Sequence, residues 1–61
     1  MYDEAKVDRL LALFDQGERL SYDEARQLVF SDNPRVSREY RRNGNWRVCI
    51  DGRYIETVWQ S

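Results

Sequence analysis

Trp46-Arg47-Val48-Cys49-Ile50-Asp51-Gly52-Arg53-Tyr54-Ile55-Glu56-Thr57-Val58-Trp59 is the stretch that decides the fold. Two runs rich in β-branched and aromatic residues flank Asp51-Gly52. An Asp-Gly pair in that setting marks a two-residue hairpin, because both central positions of a type I′ turn need positive φ. Counting outward from the turn pairs Ile50 with Arg53, Cys49 with Tyr54, Val48 with Ile55, Arg47 with Glu56 and Trp46 with Thr57. One face then collects Trp46, Val48, Ile50, Ile55 and Trp59, and should pack on the rest of the chain. The other carries Arg47, Cys49, Tyr54, Glu56 and Val58, which is more apolar than a solvated face needs and leaves room for a partner or a third strand. A two-stranded hairpin is marginal alone, so other elements or a second copy must cover residues 46–59.

Upstream, residues 34–42 read as a short basic helix, with an irregular basic loop as the competing reading. Asn33-Pro34 offers an N-cap followed by proline at the first helical position. Val36 and Tyr40 share one face at i, i+4. Arg35, Arg38 and Arg42 fall on the opposite arc, with Arg41 at its edge, and Asn43-Gly44 closes the segment. Further back, Ser21-Tyr22-Asp23-Glu24 has the form of a capping box. It opens a helix expected over residues 21–30 that buries Ala25, Leu28 and Val29. Val7, Leu10, Leu11 and Phe14 recur at i, i+3, i+4 and i+7. They predict a helix over residues 3–16, with Asp3 as N-cap and Gly17 as the C′ stop. The expected fold class is α+β: two or three short N-terminal helices packed on a C-terminal antiparallel β-hairpin, with residues 1–61 forming one domain.

Composition narrows the function. The chain has 61 residues, one cysteine and no histidine. Cys49 has no partner for an intramolecular disulfide, and a structural zinc site needs four Cys or His ligands. The carboxylates show no calcium-loop spacing, so no metal and no cofactor are expected. An unpaired cysteine fits a reducing compartment. The charged stretch MYDEAKVDRLLALFDQGERL lacks the apolar core of a signal peptide, and no run approaches a membrane span. A cytoplasmic location without membrane contact is therefore expected. Catalysis is not: histidine is the side chain best placed to move protons near neutral pH, and a domain this small has little volume for a substrate pocket.

Charge is unevenly spread. Residues 1–34 carry four cations against eight carboxylates, and residues 35–61 carry six against three. Such asymmetry hints at a charged partner. Every cation of the second part is arginine, whose planar fork suits phosphates and guanine edges.

The stretch LSYDEARQLVFSDNPRVSREYRRNGNWRVCIDGRYI resembles the winged helix-turn-helix of excisionases and mercury-resistance-type regulators. The matching positions are Leu20, Ser21, Glu24, Ala25, Leu28, Pro34, Val36, Arg38, Tyr40, Arg41, Gly44, Gly52 and Arg53. The resemblance covers about half the chain, with an additional helix in front. It implies a small DNA-binding regulator of phage or mobile-element type. An arginine-bearing helix would enter the groove of duplex DNA and a hairpin wing would rest on the backbone. The expected nucleic-acid contacts are Arg35, Arg38, Arg41, Arg42, Arg47 and Arg53, and the expected partner contacts are Tyr54 and Trp59. An alternative is a phage-type inhibitor, such as an anti-CRISPR or other anti-defence factor, that blocks a host protein through acidic helices and exposed aromatics. A homodimer is compatible with either reading.

Overall fold

The computed structural model describes residues 3–59. Helix α1 spans Glu4–Asp15, and the Asp3 carboxylate caps it by accepting the Lys6 amide at 3.2 Å. Its end is a Schellman motif: the Gly17 amide donates to the Phe14 carbonyl and the Glu18 amide to the Leu13 carbonyl. Gly17 sits at φ 86°, as the C′ position requires. Helix α2 spans Tyr22–Leu28, and both bonds of the capping box form. The Ser21 hydroxyl accepts the Glu24 amide at 3.2 Å, and the Glu24 carboxylate accepts the Ser21 amide at 2.7 Å. This helix stops at Leu28 with Val29 as its C-cap, short of the 21–30 expected.

The segment expected as a basic helix or loop over residues 34–42 is instead a strand. Val36–Arg42 forms β1, which pairs antiparallel with β2 (Asn45–Ile50), itself paired antiparallel with β3 (Arg53–Trp59). The sheet is a three-stranded meander in the order β1-β2-β3. The hairpin over residues 46–59 is thus present, extended by a third strand. The Asn33-Pro34 signal is used differently from its expected role. Asn33 Oδ1 accepts the Arg35 amide at 2.9 Å, and the Val36 amide donates to the Asn33 carbonyl at 3.0 Å. Those bonds would serve a helix N-terminus equally well; here they make one turn that delivers the chain into β1. At the far end of β1, Asn43 (φ 55°) and Gly44 (φ 83°) adopt the positive φ values of a two-residue hairpin. Asp51 (φ 53°) and Gly52 (φ 79°) do the same between β2 and β3.

The β2–β3 register departs from simple counting. Ile50↔Arg53 and Cys49↔Tyr54 pair as expected, but a bulge follows and Val48 then opposes Glu56, Arg47 opposes Thr57, and Trp46 opposes Val58. The extra residue reverses the faces of the end of β3. Val58 becomes fully buried, whereas Trp59, expected on the packed face, is 45% exposed.

Both helices lie on one face of the sheet. Val7, Leu10, Leu11, Leu20, Ala25, Leu28 and Val29 form one core with Val36, Val48, Ile50 and Val58 from the strands. Phe14, Trp46 and Ile55 are half-buried at its margin. Full burial of each valine, leucine or isoleucine side chain in this set contributes about 1.5–3 kcal/mol. Trp46 closes the end away from the Asp51 turn, edge-on to Phe30 at 5.1 Å and to Tyr40 at 5.0 Å between ring centroids.

Candidate functional site

Three carboxylates of α1 face the α2–β1 connection and hold alternate residues of it. Glu4 accepts the hydroxyl of the buried Ser31 at 3.1 Å, and Asp8 accepts the Asn33 side-chain amide at 3.5 Å. Asp15 takes both Nη atoms of Arg35, at 3.0 and 2.6 Å. Much of the acidic face of α1 is therefore an internal tether.

Arg35, expected at a nucleic-acid interface, is fully engaged. Besides Asp15 it reaches Asp51 through Nε at 3.0 Å and Nη2 at 2.8 Å, and its carbonyl accepts the Asp51 amide at 2.9 Å. One guanidinium thus ties the end of α1, the start of β1 and the β2–β3 turn. The hydrogen bonds from Arg35 hold the Asp15 and Asp51 carboxyls below the usual carboxylate range, and the two carboxylates raise the Arg35 pKa further.

The face of the sheet turned away from the helices is open. Its side chains follow from the register and from the burial of Val36, Val48 and Val58 on the other side. Glu39, Arg47 and Thr57 form one row across the three strands, and Ser37, Cys49 and Tyr54 another. Trp59 stands beside Asn45 at the far end of the sheet. The Arg47 guanidinium lies 4.7 Å from the Tyr54 ring centroid, within cation–π range. The Tyr54 hydroxyl hydrogen-bonds Thr57 Oγ1 at 3.1 Å, and the ring is 49% exposed. The Trp59 amide donates to the Tyr22 hydroxyl at 2.8 Å, which fixes the end of β3 to α2 and leaves the indole outside. Arg41 makes one loose, exposed ion pair with Glu39 at 3.5 Å.

The remaining expected arginines are dispersed. Arg38 is on the helix side, 5.5 Å over the Phe30 ring, with a 3.4 Å bond to the Ser31 carbonyl. Arg42 precedes the Asn43-Gly44 turn at the edge of the sheet. Arg53 lies over Phe14 at 5.3 Å, at the opposite end. Among the described residues, Arg38, Arg42, Arg47 and Arg53 take no carboxylate partner.

No protein-family model, no curated protein and no solved structure matches the chain. The geometry therefore carries the functional argument by itself. Among the described residues, no group of three carboxylate or thiol side chains converges as a metal site, and no helix is long and apolar enough to cross a membrane. A cleft of about 460 Å3 lies between α1 and α2, floored by Leu10 and Leu13 and rimmed by Lys6 and Arg9. Glu24, which also lines it, is committed to the Ser21 cap.

The open face was only partly visible in sequence. Tyr54 and Trp59, the expected partner contacts, are both exposed, Trp59 although simple counting assigns it to the packed face, whereas Val58, assigned to the outer face, is buried. Glu39, which holds Arg41, opposes Arg47 only because residues 36–42 are a strand. The available signal was Asn43-Gly44, the same kind of hairpin pair as Asp51-Gly52.

Proposed function

We propose that this chain is a non-enzymatic nucleic-acid-binding module whose contact surface is the open face of its sheet together with the β1 edge. One observation carries the reading. Strand β1 exposes every residue after Val36, including Arg38, Arg41 and Arg42, and on the open face adjoins Arg47, which stacks on an exposed tyrosine. Exposed guanidinium groups with few or no carboxylate partners are suited to phosphates. The duplex-DNA partner expected from sequence remains within this class. The groove-entering helix expected with it does not, since its residues are β1. Blocking a host protein, the alternative reading, would draw on acidic helices, and Glu4, Asp8 and Asp15 are already committed to residues 31–35.

The test is fluorescence anisotropy with a labelled DNA oligonucleotide, single-stranded and duplex, at several salt concentrations. Binding of at least one form should weaken linearly in a log–log plot against salt, with a slope of about 0.7–0.9 per phosphate neutralised. Arg41→Ala combined with Arg47→Ala should weaken binding and make that slope shallower. Failure of both forms to bind at low salt overturns the proposal.

A further inference from the structure

We infer that the preferred ligand is a single strand, its bases stacking on Tyr54 and Trp59 and its phosphates directed to Arg41, Arg42 and Arg47. This rests on the nucleic-acid reading above and deepens it. The open face displays aromatic surface as well as charge. Tyr54 and Trp59 both belong to β3, both project from the uncovered side, and both remain about half exposed, at 49% and 45%. The half of each ring left in water gains nothing for folding, since burial is what makes aromatic surface stabilising. The core beneath is closed without them by Val48, Ile50 and Val58.

Their spacing suits a linear ligand. Five residues along a strand correspond to roughly 16 Å at about 3.3 Å per residue, so a strand of nucleotides lying along β3 meets both rings in turn. The Arg47 guanidinium covers one side of the Tyr54 ring at 4.7 Å. It offers a planar surface on which an unpaired base also stacks. Arg41 and Arg42 lie across the sheet at the β1 edge, where a backbone running beside those bases places its phosphates. In a duplex the faces of the bases are already occupied by their neighbours, so the rings would meet groove edges only. An unpaired strand uses them fully, at about 1–3 kcal/mol per stacked base, or about 5- to 150-fold in affinity. Such stacking is tolerant of sequence because every base has a π-face.

The experiment titrates the whole chain into a labelled mixed-sequence single strand and, separately, into its duplex at low salt, with Trp59→Ala, Trp59→Phe and Tyr54→Ala in parallel. Thermal melts by circular dichroism check that each variant is folded, which the exposure of both rings favours. The single strand should bind at least about tenfold more tightly than the duplex. Trp59→Ala and Tyr54→Ala should each weaken single-strand binding about tenfold with little effect on the duplex, and Trp59→Phe should recover most of the loss. Duplex binding equal to or tighter than single-strand binding overturns the inference while leaving the nucleic-acid reading intact. So does retention of single-strand affinity in the folded alanine variants. Absence of binding to either form removes the nucleic-acid reading itself.

Discussion

Arg35 shows how one side chain is diverted from a surface role into architecture. Its fork meets Asp15 and Asp51 together, with the guanidinium about one-third exposed and the carboxylates about half exposed. Solvent and salt screen such pairs, so the cluster fixes the relative positions of α1, β1 and the β2–β3 turn more than it adds stability. Its pH dependence has a definite sign. The folded-state pKa values of Asp15 and Asp51 are depressed chiefly by hydrogen bonds from Arg35. Their contribution is therefore present above the unfolded value of about 3.9 and is lost as pH falls through the lower folded values. Arg35→Ala should lower the melting temperature near neutral pH. It should also reduce the fall in melting temperature between about pH 5 and pH 2 relative to the parent chain. A circular-dichroism melt series over that range checks both, and an unchanged acid limb would remove the cluster from the account.

At the element scale, the two helices follow from local chemistry and β1 does not. The capping box at Ser21 and the C′ glycine at Gly17 use only neighbouring residues, so their sequence signals and their structures agree. Ser21→Ala removes the acceptor for the Glu24 amide and should cost about 1 kcal/mol. For a domain of this size that is a drop of about 4–8 °C in melting temperature, measured against Ser21→Thr, which retains a capping oxygen. Strand β1 is harder to read because i, i+4 spacing fits both periods. Val36 and Tyr40 share a face in a helix and in a strand alike. The distinguishing position, Arg38, is on that same side in β1, yet it is an exposed cation lying over the Phe30 ring and not an apolar core residue. Because Val36 alone of this strand is buried, residues 37–42 carry no apolar–polar alternation.

Across the whole molecule, charge and layer coincide. The carboxylate excess belongs to the helical layer and most of the arginines to the sheet and its entry, within a body whose longest extent is 32 Å and shortest 19 Å. Electrostatic influence decays over about 8 Å at physiological ionic strength, so the two layers address a charged ligand separately. Arg41→Gln with Arg47→Gln should weaken nucleic-acid binding, whereas Lys6→Gln with Arg9→Gln should leave it nearly unchanged. Both double variants lower the net charge equally, so only the location of the charge differs. Equal losses in an anisotropy titration would mean that net charge, not the open face, governs binding.

Local residue patterns were enough to set the boundaries of α1 and α2 to within a residue or two, the Asp51-Gly52 hairpin, and most of the buried set, including Val7, Leu10, Leu11, Ala25, Leu28, Val48 and Ile50. Those features rest on caps, turns and periodic apolar residues, which act over a few positions. Three features come from long-range packing instead: residues 36–42 pair with β2, a bulge turns Val58 inward and Trp59 outward, and Arg35 clamps three elements. Each depends on partners distant in the chain. A pairing register is selected by which side chains reach the shared core, and a guanidinium finds its carboxylates only after the backbone has brought them together.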